Sequence, residues 1–314
     1  MKRKDFIRTS FLSFLGLLFF RNDAHANPDE VPVIFKPNPS EWKDEEINIA
    51  WIGHSTVLIN FYGLKIMTDP VLYERIGLYF FGITWGPSRF TLPALTVDEI
   101  PQPDIILLSH AHMDHMDYQT LRDITSIYPH QIDCITAFNT KDVIEDLKWK
   151  TLTEIDWNEE LILRNIKFKA FEVQHFGWRY PWERDRSRGF FDDGRSYNAY
   201  LISYKGKNIF FGGDTAMTNK FKDIKEKIDI VIMPIGAYRP WKKNHCNPEE
   251  ALIMSAEYLK AKYFIPIHTK TFKQGIEPIE EPLKWLKDSS RNYEINLVID
   301  DIGQTFTLKG KNIL

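Results

Sequence analysis

Residues Ile105-Ile106-Leu107-Leu108 form an unbroken apolar run, and Ser109-His110-Ala111-His112-Met113-Asp114-His115-Met116-Asp117 follows at once. A short run of aliphatic residues reads as a strand buried on both faces. The stretch behind it sets three imidazoles and two carboxylates within eight residues, His110 to Asp117. Polar groups at the end of a buried strand are where an α/β scaffold presents chemistry. His110 and His112 alternate, so an extended backbone points both side chains the same way. Asp114 and His115 reach that point only if the chain then turns. The spacing His-x-His-x-Asp-His is a metal-ligand pattern, because a small cation needs several N and O donors converging on one point.

The rest of the chain supplies strands whose ends could meet it. Alternation over 47–52 and 55–61, a turn at Tyr62-Gly63 and a run at 64–67 predict an antiparallel meander. Further strands are expected at 133–138, 154–158, 160–163, 166–173, 196–204, 209–211, 230–233, 263–267 and 297–308. Helices are expected at 118–127, 140–149, 221–227, 247–259 and 282–287. Asn247 stands at the N-cap of the fourth, with Pro248 at its first position and Glu250 completing a capping box. Residues 73–95 show no period and read as a loop. Strands mixed with helices predict sheets covered by helices, not a bundle.

One regularity outweighs the boundaries. His110, His175, Asp214 and His268 each stand just past an expected buried strand. Strand ends on one sheet edge can converge although their residues are far apart in sequence. His110, His112 and His175 can then hold one ion, and Asp114, His115 and His268 a second, with Asp214 between them. Two such ions would lie ~3.5–4 Å apart. Imidazoles with carboxylates suit zinc, and iron or manganese fit as well. Strand-end position alone leaves His175, Asp214 and His268 open between ligands and capped or surface residues.

Composition adds bounds. A net charge of −3 supplies no basic surplus for nucleic acid. Nine Trp residues are core residues or a rim for an apolar substrate or lipid. Lys2-Arg3-Lys4, the apolar stretch Phe11 to Phe20 and Ala24-His25-Ala26 form a signal-peptide pattern over residues 1–26, too short to span a bilayer. Arg3-Lys4 is close to a twin-arginine signal, with Lys for the second Arg. The expectation is export to the periplasm, a mature chain starting near Asn27, and a Pro-rich arm over 27–46. A retained membrane anchor is the lesser alternative. Cys134 and Cys246 fall in no metal motif and read as free thiols.

Ser109-His110-Ala111-His112-Met113-Asp114-His115 resembles the signature of the metallo-β-lactamase superfamily. Within it, the chain resembles the branch of N-acylphosphatidylethanolamine phospholipase D and its bacterial relatives. The likeness runs through Trp51-Ile52-Gly53-His54-Ser55-Thr56-Val57-Leu58-Ile59, Thr68-Asp69-Pro70, Gly86-Pro87-Ser88-Arg89-Phe90 and His115-Met116-Asp117-Tyr118. It continues in Glu154-Ile155-Asp156-Trp157, Gly213-Asp214-Thr215, Pro234-Ile235-Gly236-Ala237-Tyr238 and His245-Cys246-Asn247-Pro248-Glu249-Glu250-Ala251.

The resemblance implies a four-layer αββα sandwich over residues 47–314 with a di-metal site at one edge. It implies that His175, Asp214 and His268 are ligands and that His245 lies by the scissile group. It places His54 and Asp69 beneath the site, where Asp69 would orient a ligand imidazole or simply form a turn before Pro70. Tyr238 belongs to the branch-specific stretch and is carried as a substrate-binding candidate. The chain departs from the pattern over 176–195, an aromatic, Arg-rich segment. With Arg179 it would clamp an anionic substrate or be an ordinary solvated loop.

The implied chemistry is hydrolysis of a small or lipid phosphodiester by a metal-bridging hydroxide. Asp114 would hold a metal and the hydroxide proton, and His245 would aid the leaving group. Peripheral membrane contact accompanies a lipid substrate, and the sequence assigns no oligomeric state. Two other readings keep the ligand set: a lactonase or other ester or amide hydrolase, and a non-catalytic metal-binding protein.

Overall fold

A computed structural model describes residues 33–309 except Phe190. The signal-peptide pattern and the start of the arm lie outside the described residues. Strand β1 (Glu46–Gly53) continues through β2 (Thr56–Phe61) and β3 (Leu64–Thr68), the antiparallel meander expected from the alternation. After the hairpin β4 (Leu78–Phe80) and β5 (Ile83–Trp85), the chain adds β6 (Ile105–Leu107), β7 (Asp133–Ala137) and β8 (Thr151–Ile155), all parallel to β3. The last strand, β16 (Thr305–Lys309), closes this sheet against β1, giving the order β16-β1-β2-β3-β6-β7-β8.

The second sheet holds β9 (Glu160–Leu163), β10 (Ile166–Glu172), β11 (Asn198–Tyr204) and β12 (Lys207–Phe211), joined antiparallel. It continues in parallel through β13 (Ile230–Pro234), β14 (Tyr263–Ile267) and β15 (Asn296–Leu297).

The layers follow from residue alternation. In β1, Ile47, Ile49 and Trp51 enter the core between the sheets, with Phe168, Tyr200 and Phe210 of the second sheet. Ala50 and Ile52 point the other way, into a smaller core with Leu121 and Ile124 of helix α1 (Tyr118–Ile127). Helices α2 (Pro248–Leu252) and α3 (Glu281–Ser290) cover the second sheet, with Leu252, Leu283 and Leu286 in its core. The architecture is the expected αββα sandwich. At ~25 cal/mol per Å² of apolar surface removed from water, the buried core between the sheets is the main stabilising term.

Strand direction positions the functional edge. The C-terminal ends of β3, β6, β12, β13 and β14 share one edge of the sandwich. Two antiparallel steps bring β1 and β10 back to the same direction, so their ends join it. Seven loops therefore open at one place.

Several expectations need correction. Residues 73–95 include the β4–β5 hairpin. The apolar spacing at 140–149 yields only a 3-10 turn, Lys141–Val143. Glu154 takes the backbone N–H groups of Thr140 and Lys141, and Trp149 Nε1 donates to the Ile144 carbonyl. Side-chain bonds thus replace the helical ones while Ile144 and Trp149 still reach the smaller core. Residues 221–227 likewise give one 3-10 turn, Lys220–Asp223. The Asn247 capping box forms as expected, and its helix widens to π turns over Ile253–Tyr258. Cys134 and Cys246 are free and buried, and burial pushes both thiols well above their ordinary values.

Candidate metal centre

All seven expected ligands reach the shared edge from four loops: His110, His112, Asp114 and His115 after β6, His175 after β10, Asp214 after β12 and His268 after β14. His110 Nε2 lies 2.8 Å from His112 Nδ1, and His175 Nε2 lies 3.2 Å from the same atom. Nitrogens tetrahedrally bound at the zinc distance stand about 3.3 Å apart, so this trio needs only small adjustment to share an ion. Asp114 Oδ2 is 3.3 Å from both His115 Nε2 and His268 Nε2. Asp214 Oδ2 is 3.1 Å from His115 Nε2, 3.0 Å from His268 Nε2 and 3.9 Å from His175 Nε2, between the two groups.

The surrounding bonds turn imidazole lone pairs inward. Asp69 Oδ2 lies 2.7 Å from His115 Nδ1 and accepts the Ser109 hydroxyl at 2.6 Å. With its proton given to Asp69, Ser109 Oγ accepts from His110 Nδ1 at 2.8 Å. His175 Nδ1 donates to the Asn244 carbonyl at 2.9 Å. Each of these rings gives its outer N–H to the protein and leaves Nε2 to the centre. The Asp69 position beneath a ligand, inferred from the resemblance, is where the side chain stands.

Buried atoms without hydrogen-bond partners mark the same spot. They include His115 Nε2, Asp214 Oδ1 and His245 Nδ1. His115 Nε2 is near two carboxylates but has hydrogen-bond geometry to neither, which suits a cation between them better than a proton. The donor set therefore fits metal ions.

Electrostatics divide the histidines. Burial lowers His110 well below the ordinary histidine value and takes His112 to about 3, with neighbouring imidazoles adding to the effect. His115 is held well above it and His268 rises to about 9: burial opposes both, but Asp214 and Asp114 outweigh it. Burial resists ionisation of Asp114 and Asp214, yet the adjacent imidazoles hold both well below the carboxylate range. Two buried carboxylates thus demand positive charge at their meeting point.

Local backbone is unusual where it serves the site. His54, Asp69 and His268 take left-handed φ angles of 49°, 35° and 60°. Such non-glycine conformations persist where surrounding structure imposes them. The His268 N–H bonding the His54 carbonyl at 3.0 Å is one such constraint. Gly213 has φ +56°, and a Cβ there would lie 2.7 Å from the Asn198 carbonyl oxygen. Only glycine lets Asp214 approach so closely.

Other candidates sort less evenly. His54 lies within the centre, its Nε2 3.0 Å from Asp114 Oδ2 and its ring 4.3 Å from His268. His245 stacks beside His268 at 5.1 Å, with Nδ1 3.7 Å from Asp214 Oδ2. Tyr238 is not brought into the cluster: its hydroxyl donates to Glu281 at 2.7 Å. Nor is Arg179 placed as a clamp. Its buried Nη1 donates to the carbonyls of Ala111 at 2.7 Å and Met116 at 3.0 Å, bracing the turn that carries His112 to His115. Arg184, Arg186 and Arg195 of the same segment pair with Asp193, Asp156, and Asp142 and Glu183. Sequence reasoning missed Gln274, whose Nε2 donates to Asp114 Oδ2 at 2.6 Å. It sits in an aperiodic loop, and no local signal marks it.

Residues 65–269 match the model of the beta-lactamase superfamily domain. The N-acyl-phosphatidylethanolamine-hydrolyzing phospholipase D 1 of Caenorhabditis elegans is 30% identical over 281 residues, covering 81% of this chain and 74% of that protein. A metal-dependent hydrolase of Methanobrevibacter smithii is 27% identical, covering 85% of this chain and 99% of the relative. The structure of a metallo hydrolase from Ignicoccus hospitalis superposes with a TM-score of 0.60 at 16% identity, covering 85% of this chain and all of that one, a likeness of fold. The chain belongs to the metallo-β-lactamase superfamily, on the branch that includes the nematode phospholipase D, and is a metal-dependent hydrolase.

Proposed function

We propose that the chain is a di-zinc phosphodiesterase of phospholipase D type, acting on a phospholipid or related phosphodiester. The observation that carries this reading is the position of Asp214, whose Oδ2 lies between the His110-His112-His175 trio and the Asp114-His115-His268 group. His110, His112 and His175 would hold one ion, Asp114, His115 and His268 the other, and Asp214 would serve both. Bound divalent ions supply a water acidified toward pKa ~7 and screening of charge on phosphoryl oxygens. A phosphate diester makes use of both. The kinship to a phospholipase D supports the same choice.

The chain's own residues then have defined tasks. Asp69 and the Asn244 carbonyl fix the ligand rings. His245 is held well below the ordinary histidine value by burial, so it offers a neutral imidazole beside Asp214, with one nitrogen to donate and one to accept. In hydrolysis the water oxygen joins phosphorus, the bond from phosphorus to the leaving alcohol breaks, and a proton passes to that alcohol. His245 stands where it can orient the phosphoryl group, or take up the proton that the attacking water loses and pass it to that alcohol. Export through the N-terminal segment belongs to the same reading, supported by its basic, apolar and small-residue pattern.

The test is a parallel assay of bis(p-nitrophenyl) phosphate, glycerophospholipids, an acyl-homoserine lactone and a β-lactam. Cleavage of the diesters, lost in Asp214→Ala, is expected. Turnover of the lactone or lactam without diester cleavage would overturn the reading.

A further inference from the structure

We propose that the rim of the metal centre is a docking surface for an anionic phospholipid bilayer. It consists of the β4–β5 hairpin and the two loops that follow β13 and β14. The hairpin carries Phe80, Phe81, Ile83 and Trp85, all exposed, with Phe81 at 89%. Its turn is uncovered, since a Cβ placed on Gly82 would meet nothing within 4 Å. Large apolar side chains on a projecting tip mark a surface that awaits an apolar environment.

This tip is structurally continuous with the metal centre. Bridges between Arg75 and Ser88 and between Arg89 and Phe272 run the hairpin stem onto the loop behind His268. The Phe90 N–H donates to the Thr271 carbonyl at 2.7 Å. That loop is bonded in turn to the one carrying His245: Trp241 Nε1 donates to the Gln274 carbonyl at 3.1 Å, and the Ile276 N–H to the Arg239 carbonyl at 2.9 Å. Trp241 and Ile276 are both exposed. From the loop after β14 Gln274 reaches Asp114, so the rim lies one side chain from the centre.

Charge selects the occupant. Lys242, Lys243 and Lys273 are exposed on these loops, and none has an ion-pair or hydrogen-bond partner among the described residues. In a chain of net charge −3, three unpaired cations beside exposed Trp and Ile are a local departure. Apolar insertion combined with attraction to anionic headgroups is how peripheral proteins hold a membrane. An uncovered apolar hairpin tip fits fluid acyl chains directly, whereas a protein partner would need a cavity shaped to it. No helix among the described residues is long and apolar enough to cross a membrane. The inference rests on the phosphodiester reading only in making the bilayer the source of substrate; the binding itself does not depend on it.

The experiment uses the metal-loaded full chain with vesicles of phosphatidylcholine, alone or mixed with phosphatidylglycerol. Co-sedimentation should be ~10-fold or more stronger with the mixed vesicles and should weaken with salt. Two variants separate the contributions: Phe80→Ser/Phe81→Ser/Trp85→Ser and Lys242→Glu/Lys243→Glu/Lys273→Glu. Each should lose ~10-fold or more of vesicle binding while cleaving soluble bis(p-nitrophenyl) phosphate at the unaltered rate, which also shows that it is folded. Equal binding to both vesicle types, or variants that bind like the parent, would overturn the proposal. So would absence of vesicle binding together with self-association that the variants abolish. Vesicle binding without diester cleavage would sustain the docking surface and overturn the phosphodiester reading instead.

Discussion

The Asp69 carboxylate lies 2.7 Å from His115 Nδ1, and through Ser109 it also governs His110. One buried group therefore sets the ring orientation of a histidine in each half of the centre. Asp69→Asn keeps the shape but can turn an N–H toward His115, favouring the wrong tautomer. Metal affinity should fall ~10–100-fold with the fold retained. Competition against a chelating dye measures it, and unaltered affinity would remove Asp69 from the account.

Arg179 makes a second prediction about geometry at a distance. Its guanidinium bonds the carbonyls of Ala111 and Met116, on either side of the turn that carries His112, Asp114 and His115. Arg179→Met leaves both carbonyls without that donor and should destabilise the protein by ~2–4 kcal/mol. Hydrogen exchange over 111–117 should rise, and kcat should fall more than KM changes. A substrate clamp would give the opposite split, with KM raised and exchange unaltered.

These two residues show what the sequence made legible and what it did not. The seven ligand candidates could be singled out because they follow buried runs, and strand direction carries such positions to one edge. Asp69 was visible as a family position, but its hydrogen bonds to both Ser109 and His115 depend on β3 and β6 being neighbours. Arg179 and Gln274 act from aperiodic loops across long separations, where residue type says nothing about partner. An Arg-rich segment reads as a surface for anions, yet its described partners are backbone carbonyls and carboxylates of the protein itself. The false helix at 140–149 has the same cause: local apolar spacing was satisfied by Trp149 and Glu154 bonding across turns.

The Arg-rich segment should also respond to acid. Burial pushes the Glu183 carboxyl up, but the Arg195 guanidinium and the N–H groups of Arg179 and Tyr180 prevail and hold it below its ordinary value. A carboxyl depressed on folding stabilises fully above its unfolded pKa, ~4.3, and less as pH falls through the folded value. Exchange over 179–195, corrected for intrinsic rates, should be flat from neutrality to about pH 5 and rise below ~4.3. Glu183→Gln should shrink that pH step, leaving the part due to Asp142, which Arg195 also holds below its ordinary value.

Tyr238 and His245 make a paired comparison. Because the Tyr238 hydroxyl is held by Glu281, Tyr238→Phe should leave kcat within about twofold and cost ~0.5–1.5 kcal/mol of stability. His245 stands beside Asp214 with Nδ1 unpartnered, so His245→Ala should lower kcat ~10²–10⁴-fold with metal content retained. Loss of metal in His245→Ala would recast that residue as a ligand.

The most direct measurement is a metal titration followed by turnover. Protein stripped by a strong chelator should not cleave bis(p-nitrophenyl) phosphate, and activity should return with zinc until two ions are bound per chain. Asp214→Ala should take up less metal and stay inactive. Full diester cleavage by the stripped protein, or activity saturating with no ion at the Asp114-His115-His268 group, would contradict the account.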